Sequence, residues 1–205
     1  MQRAEHQVPG FCRRHGRGDR RQVAHFADEH DIRVLTQGTP ERFREVGHIR
    51  SDFALHDQNG DLIQLSKLRG TVVVLTPLYT HCQDLCPLTA QQIRGALDDL
   101  TGDQRNGVRA LALSVDPAND TADSARRFLV ERRVSGYLDF LLGAQSELRP
   151  IWRDYGFAPQ TKDQTHNSYV VLIDKRGRQR VGFPIDHLTP EDLAHDIRVL
   201  LTQRA

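Results

Sequence analysis

The sequence predicts one α/β domain, built on a central mixed β-sheet flanked by helices and preceded by a separate N-terminal segment. Strand-like apolar runs alternate with helical patterns in the order β-α-β-α-β-α-β-β-α, which is typical of an α/β sandwich. A chain of 205 residues is also long enough to bury a substantial core. Composition changes near residue 49, so we expect the folded domain to occupy residues 49–205.

The separate segment comprises residues 1–48. It is rich in arginine and histidine, contains no lysine, and its apolar residues show no sustained period. Such a segment can bury little apolar surface, so we expect it to be flexible. It contains Cys12, to which we assign no role. Cys12 and the nearby histidines could bind a metal opportunistically, but a solvated tail is the simpler interpretation.

The domain is expected to begin near Arg50 with an extra N-terminal hairpin. Two short strands, 53–56 and 62–65, flank an Asn59-Gly60 pair, which is a strong hairpin-turn signal. A buried strand at 71–76 follows. The next helix should run from Leu88 to about Leu100, with Gly102 as its stop. Its apolar side is predicted to contain Leu88, Ile93, Ala96, Leu97 and Leu100.

The second half of the domain should end in a hairpin and a C-terminal helix, which is the order of a thioredoxin-like fold. The last helix has clear start signals, because Thr189 can cap it and Pro190 suits its first position. The predicted elements are strand 108–114, a helix capped by residues 119–121 and running to about residue 133, a short strand or connection at 138–142, a helix around 147–155 ended by Gly156, strand 168–173, strand 179–183 and the helix from Thr189.

Composition excludes several classes of function. Net charge is +1, with 28 basic and 27 acidic residues, so bulk electrostatics favour neither nucleic acid nor an anionic membrane. Three cysteines are too few for a disulfide scaffold. No apolar run approaches the ~20 residues of a membrane span or the shorter core of a signal peptide. We therefore expect no nucleic-acid partner, and membrane association only through a segment not visible here.

Cys82 and Cys86 form the most distinctive pattern, between a predicted strand and a predicted helix. Free N–H groups and the helix dipole at such a position stabilise thiolates. If the stretch is a helical turn, the cysteines stand at i and i+4, with Cβ atoms about 5–6 Å apart. That separation suits two thiolates on one soft metal ion, or a disulfide after modest adjustment. In the alternative interpretation, the two cysteines are small apolar side chains buried at the start of a helix and have no chemical role.

His166 is the candidate third ligand. It lies just before strand 168–173, which faces the cysteine stretch in a thioredoxin-like fold. Dithiol oxidoreductases of that fold hold a proline there, whereas this chain has none between Pro159 and Pro184. Two thiolates satisfy Cu(I), and an added imidazole suits Cu(II). A solvated surface histidine is the alternative interpretation.

Three motifs, taken in order, make the chain resemble the SCO/SenC family of copper-binding, thioredoxin-like proteins. They are residues 79–87, residues 113–117 followed by Asp120-Thr121, and His166 eight residues before Asp174. The resemblance covers about residues 50–202. It implies that Cys82, Cys86 and His166 bind copper, Cu(I) or Cu(II). It also implies a role at the binuclear copper site of cytochrome c oxidase subunit II, by delivering copper or by reducing that site's cysteines.

The resemblance also implies a location in the cell envelope, at the outer face of the cytoplasmic membrane or in the periplasm. Family members are normally anchored or exported through an N-terminal segment, and none is visible in this chain. A second departure is Thr76-Pro77-Leu78, which stands where members usually have an aromatic, proline-free strand end.

The expected function is that of a copper metallochaperone, which binds and transfers metal rather than turning over a substrate. Its partner would be oxidase subunit II or another protein that accepts copper or presents thiols. The alternative is a thiol–disulfide reductase, in which Cys82 attacks and Cys86 resolves. A peroxiredoxin would need a Pro-x-x-x-Thr-x-x-Cys setting that is absent before Cys82. A structural zinc site would need a convincing fourth ligand.

Five further polar residues near these motifs are assigned ordinary structural roles. His81 is expected to be a polar loop residue rather than a fourth donor. Asp84 is expected to cap the helix that follows it. For Asp116 a turn is the first interpretation and a redox or metal role is the alternative. His187 and His195 should lie on the surface.

Overall fold

A five-stranded mixed sheet forms the centre of the computed structural model, which describes residues 53–160 and 169–204. The strands are β1 (Ala54–His56), β2 (Leu62–Gln64), β3 (Val72–Leu78), β4 (Val108–Ser114), β5 (Asp139–Leu141), β6 (Tyr169–Ile173) and β7 (Gln179–Pro184). The helices are α1 (Leu85–Asp98), α2 (Gly102–Asn106), α3 (Ala122–Glu131), α4 (Gln145–Tyr155) and α5 (Pro190–Thr202). Short 3₁₀ turns occupy Leu65–Leu68 and Ile185–His187.

The sheet has the strand order β5-β4-β3-β6-β7. β3 lies in the middle, parallel to β4 and antiparallel to β6, and all seven of its residues are buried. A continuous apolar run is what a central strand covered on both faces requires. β1 and β2 form the separate N-terminal hairpin around Gly60. This architecture confirms the predicted fold class, including its extra hairpin.

β3 extends two residues beyond the predicted end at Thr76. It pairs with β4 along its whole length, but it pairs with β6 only from Val73 to Leu75. Pro77 therefore lies beyond the segment that β6 pairs with, where the missing N–H of a proline is tolerated. The extension carries the chain to the carboxyl end of β4, next to Ser114.

α1 and α5 pack against each other closely. A Cβ atom at Gly95 would lie only 3.1 Å from Pro190 Cγ, so the absence of a side chain permits this approach. The apolar side of α1 is buried at Ile93 and Leu97 as predicted, but the prediction for Leu88 is wrong. Leu88 is 48 % exposed in the first turn of α1, outside this packed region.

The prediction that Gly102 ends a helix is also wrong. α1 ends at Asp98, and Gly102 instead begins the short helix α2. Thr101 caps α2, because its hydroxyl accepts the Gln104 N–H while the Gln104 side chain accepts the Thr101 N–H. This reciprocal capping box satisfies two N–H groups that would otherwise lack partners, and so favours a new helix at this point.

Other helix boundaries follow the sequence signals closely. Thr121 caps α3 and Thr189 caps α5, with Pro190 in the first position of α5. α4 ends at Gly156, whose φ of 69° is left-handed, as a helix-terminating glycine allows. Among the described residues, no helix combines the length and apolarity needed to cross a membrane. Residues 1–48 and His166 lie outside the described residues, so the domain boundary at residue 49 stays a prediction.

Candidate metal centre

The two cysteines lie together at the carboxyl end of the central strand. β3 ends at Leu78 and α1 begins at Leu85, and the loop between them contains Cys82. Both thiols are free and buried, Cys82 being 3 % exposed and Cys86 1 % exposed. The Cys86 N–H donates a hydrogen bond to Cys82 Sγ at 3.3 Å. The fold therefore brings the two cysteines into direct contact, as the sequence spacing suggested.

The local geometry differs from a helical turn over residues 82–86, which was the condition for placing both cysteines on one helix face. Cys82 lies before α1 rather than inside it, and only Cys86 belongs to the helix. Asp84 occupies the N-cap position but its side chain makes no capping hydrogen bond, so the prediction of an Asp84 cap is wrong. The Cys86 N–H is one of the donors that a helix start leaves without an intrahelical partner, and the Cys82 sulfur accepts it. The sulfur of Cys82, a candidate metal ligand, thus caps this one N–H group at the start of α1.

Cys82 and Cys86 have pKa values that are shifted in opposite directions. Hydrogen bonding from the Cys86 thiol lowers the pKa of Cys82 to about 5, with further help from N–H donors and against the opposing effect of burial. The same hydrogen bond, together with burial, raises the pKa of Cys86. The result is a thiolate at Cys82 that accepts a hydrogen bond from a protonated Cys86.

Tyr79 belongs to the same cluster. Burial raises the pKa of its hydroxyl, and its hydrogen bond to Cys82 acts in the same direction. That hydrogen bond also helps to lower the pKa of Cys82. Tyr79 therefore remains a neutral donor toward the Cys82 sulfur and adds to the stabilisation of its thiolate.

Asp120 anchors the cysteine loop to the neighbouring strand and is 8 % exposed. Its Oδ1 accepts hydrogen bonds from the Thr80 N–H and the Thr80 hydroxyl, both at 2.8 Å. Its Oδ2 accepts the Ser114 hydroxyl at 2.6 Å. Burial raises the pKa of this carboxyl. One buried side chain therefore fixes the residue two positions before Cys82 to the end of β4.

The loop after β4 is a hydrogen-bonded turn, as the turn interpretation of Asp116 expects. The Asp116 carboxylate accepts the Asn119 side-chain amide, and its backbone carbonyl accepts the N–H groups of Asn119 and Asp120. The Val115 N–H donates to the Leu78 carbonyl at 3.1 Å and so joins the ends of β3 and β4. This turn forms one rim of the cysteine site.

The described histidines do not join the two cysteines. His81 is exposed, and its Nδ1 lies 3.1 Å from the Thr80 hydroxyl. His187 and His195 are exposed on the 3₁₀ turn and on α5, as predicted. Within residues 53–160 and 169–204, no group of three His, Cys, Asp or Glu side chains is arranged to hold a metal ion.

Both flanks of the segment that contains His166 are fixed near this end of the sheet. The Gln160 N–H donates to the Val115 carbonyl at 2.8 Å, and the Thr76 hydroxyl donates to the Tyr169 carbonyl at 3.4 Å. The Trp152 indole donates to the Ser114 carbonyl at 2.9 Å and holds α4 in the same region. A cleft of about 420 Å³ beside Trp152 is lined mainly by residues of α4 and excludes both cysteines.

Sequence reasoning found the cysteine pair but missed its supporting residues. Tyr79, Thr80 and Asp120 fell within the motifs, yet a hydroxyl or carboxylate in a loop carries no sign of what it contacts. Asp120 follows Thr80 by 40 positions in the sequence, and the two residues are in contact because β3 pairs with β4.

Comparison with known proteins places these features in a family. The SCO1/SenC family model matches residues 40–202. The SCO1 protein homolog of Bacillus subtilis is 26 % identical over 154 residues, which cover 71 % of this chain and 79 % of that protein. The structure of Bradyrhizobium japonicum ScoI with copper bound is 29 % identical with a TM-score of 0.58, and covers 73 % of this chain and 97 % of that chain.

A third similar protein is BsSco, a member of the Sco family of cytochrome c oxidase assembly proteins in which a disulfide switch was identified. It is 25 % identical with a TM-score of 0.63, and the match covers 74 % of this chain and 92 % of that chain.

Proposed function

We propose that this chain, which belongs to the SCO1/SenC family, binds copper through Cys82, Cys86 and His166 and delivers it for assembly of cytochrome c oxidase. The observation that carries the proposal is the contact between two buried, free cysteines at the carboxyl end of β3. The likeness to ScoI with copper bound supports copper as the cargo.

The chemistry of the cysteine pair fits Cu(I). Thiolates are soft ligands that prefer Cu(I), and Cys82 is already a thiolate at neutral pH because its pKa is about 5. Cys86 holds its proton in the free protein, so copper binding must release that proton. The bound metal ion then replaces the Cys86 thiol as the group that stabilises the Cys82 thiolate.

The position of His166 in the chain supports its role as the third ligand. It precedes Tyr169 by three residues, and three residues of chain span at most about 10 Å. The Tyr169 carbonyl is bound to Thr76, near the end of the strand that leads to the cysteine loop. An imidazole within this reach would add the harder donor that Cu(II) prefers.

Replacing His166 by alanine tests the ligand set. We expect the variant to lose at least about 100-fold in Cu(II) affinity, the upper end of the loss for a residue that only supports a ligand. Cu(I) affinity should fall much less because two thiolates remain. His187→Ala is the matched control, since His187 is exposed and pairs only with Asp186 among the described residues. Unchanged Cu(II) affinity in His166→Ala would remove His166 from the site.

The proposed acceptor is the binuclear copper site of cytochrome c oxidase subunit II, and the proposed location is the outer face of the cytoplasmic membrane or the periplasm. Cells that lack the protein should assemble oxidase deficient in copper, and wild-type protein should restore it. Restoration by a Cys82→Ser, Cys86→Ser variant would contradict this role, because that variant lacks both thiolates.

A second candidate function is reduction of a disulfide in the partner, and the unequal pKa values of the two cysteines favour it. The Cys82 thiolate would attack the partner disulfide and form a mixed disulfide. Cys86, after losing its proton, would attack the Cys82 sulfur and release a reduced partner with two thiols. Cys82 and Cys86 supply the two electrons that reduce the partner disulfide, and they end as a Cys82–Cys86 disulfide. His166→Ala should leave this reaction unchanged, which separates the two functions.

A further inference from the structure

A basic surface lies at the end of the sheet opposite the cysteines. Its six cations come from two segments that are distant in the sequence: the segment before β3, and the β6–β7 turn with the start of β7. The seven residues of β3 separate this surface from the cysteine loop by roughly 20 Å. The basic surface consists of Lys67, Arg69, Lys175, Arg176, Arg178 and Arg180.

Specific contacts assemble the surface. The Gly70 N–H donates to the Lys175 carbonyl at 2.9 Å, which joins the turn before β3 to the turn after β6. The Arg69 guanidinium lies over Gly177, in the space that a side chain there would occupy. Lys175 Nζ donates to the carbonyls of Leu201 and Gln203 at the end of α5. The surface is therefore a built part of the fold rather than a set of isolated side chains.

One buried carboxylate organises the β6–β7 turn. Asp174 Oδ1 accepts the backbone N–H groups of Arg176 and Arg178, both at 2.9 Å. Asp174 Oδ2 accepts the guanidinium groups of Arg178 and Arg180. Asp174 is the only acidic residue in the segments that form the surface, residues 65–71 and 174–181. These two segments therefore carry six cations and one carboxylate.

Three cations of the basic surface are available for a partner. Lys67, Arg69 and Arg176 are exposed, and none of them pairs with a carboxylate of the described residues. The two loops at the opposite end of the sheet, residues 79–88 and 114–121, contain no lysine or arginine and include three aspartates. The net charge of +1 conceals this difference in charge between the two sets of segments.

We propose that the basic surface binds the anionic headgroups of a phospholipid membrane and holds the cysteine loop facing away from it. Clustered lysine and arginine side chains bind the phosphates of anionic lipids by charge alone. A protein partner would favour an apolar or aromatic centre in the patch. Among the described residues, the exposed large apolar side chains all lie outside the basic surface, at Leu62, Leu85, Leu88, Val130 and Val199.

Binding of the full chain to vesicles tests the proposal. We expect binding to vesicles of phosphatidylcholine with one-third phosphatidylglycerol, no binding to phosphatidylcholine alone, and release at high salt because the attraction is screened. The variant Lys67→Gln, Arg69→Gln, Arg176→Gln should bind at least about tenfold more weakly. The matched control, Arg127→Gln, Arg149→Gln, Arg153→Gln, removes the same charge from other parts of the domain and should bind within about twofold of wild type.

Equal weakening in the two triple variants would overturn the proposal, because net charge alone would then explain binding. Unchanged binding in the variant Lys67→Gln, Arg69→Gln, Arg176→Gln would also overturn the proposal. Every variant retains the arginine-rich residues 1–48, so those residues would then be the segment that binds the vesicles. Preferential binding to polyglutamate over vesicles would assign the surface to an acidic protein instead.

The predicted orientation has its own measurement, which needs no copper. In a Cys12→Ser background, alkylation of the cysteine pair should proceed at the same rate in free and vesicle-bound protein. A rate reduced tenfold or more on vesicles would show that the cysteine loop faces the membrane and would contradict the orientation.

Discussion

Each end of the central sheet is built around one buried carboxylate, and the two carboxylates behave differently. Asp120, at the cysteine end, accepts only uncharged donors from Thr80 and Ser114, and burial raises its pKa. Asp174, at the basic end, is 4 % exposed. Burial acts to raise its pKa too, but hydrogen bonds from Arg178 and Arg180 outweigh burial and lower it.

Both carboxylates are buried, so the opposite directions of their pKa shifts follow from the neighbouring positive charge, which only Asp174 has. The cysteine end stabilises an anion, the Cys82 thiolate, with hydrogen-bond donors and without a lysine or arginine in its loops. A metal cation arriving there is not repelled by fixed positive charge. The basic end already compensates its carboxylate with two guanidinium groups, so the exposed Lys67, Arg69 and Arg176 can meet the external anion proposed above.

The largest effect is expected from Asp174→Ala at the basic end. Removing the carboxylate leaves two backbone N–H groups and two partly buried guanidinium groups without their acceptor, which should cost about 3 kcal/mol of unfolding free energy at pH 7. Urea unfolding measures this. Asp186→Ala is the control, since Asp186 is exposed and should change stability by less than about 0.5 kcal/mol.

The penalty of Asp174→Ala should also depend on pH. The folded pKa of Asp174 lies below its unfolded value of about 3.9, so its contribution is present above that pH and is lost as the pH falls through the folded pKa. We expect the penalty to shrink in acid. A penalty below about 1 kcal/mol at pH 7, or one that grows in acid, would contradict the role of the two guanidinium groups.

The second effect concerns the reactivity of Cys82. With a pKa of about 5, its alkylation rate in a Cys12→Ser background should change less than twofold between pH 6 and pH 8. An ordinary thiol of pKa about 8.5 would react roughly 75-fold faster at the upper pH. The rate should also vary little with salt, because hydrogen-bond donors rather than cations stabilise the thiolate. An alkylation rate that rises with pH as it does for an ordinary thiol would contradict the lowered pKa of Cys82.

A smaller effect with the opposite pH dependence is expected from Asp120→Asn at the cysteine end. The amide oxygen can still accept from Thr80, so the loss at pH 7 should be about 1 kcal/mol. The raised folded pKa of Asp120 means that its contribution is full below about pH 3.9 and is lost as the pH rises through the folded pKa. The penalty should therefore grow as the pH falls from 7 toward the unfolded pKa of about 3.9. If it shrinks as for Asp174→Ala, the two ends do not differ as described.

The smallest effect is expected from Tyr79→Phe, which removes one donor to the Cys82 sulfur. The pKa of Cys82 should rise but stay below the ordinary thiol value, because the Cys86 donors remain. The pH profile of alkylation measures this, and stability should change by only about 1 kcal/mol. A Cys82 pKa that does not move would remove Tyr79 from the site.

The sequence predicted the parts of the molecule that depend on local pattern. The apolar run of β3, the Asn59-Gly60 turn and the Thr189-Pro190 helix start are local signals, and the structure confirms them. Gly102 and Asp84 were misassigned because a neighbouring group, the Thr101 hydroxyl or the Cys82 sulfur, made the hydrogen bond that mattered. Local sequence preferences alone do not show which of two competing groups makes the hydrogen bond.

Features that depend on tertiary structure were not visible in the sequence. The contact of Asp120 with Thr80 requires the pairing of β3 with β4. The basic surface joins Arg69 to a turn more than one hundred residues away, and the net charge of +1 argued against any such surface. The role of His166 stays a prediction.

Anaerobic titration of the reduced protein with Cu(I), followed by oxidation to Cu(II), tests the central claim most directly. In a Cys12→Ser background, the account predicts one copper per chain and a strong thiolate-to-Cu(II) charge-transfer band. It also predicts that both the band and tight Cu(I) binding disappear in Cys82→Ser and in Cys86→Ser. A band and Cu(I) affinity that survive either substitution would show that the two sulfurs do not share one copper ion.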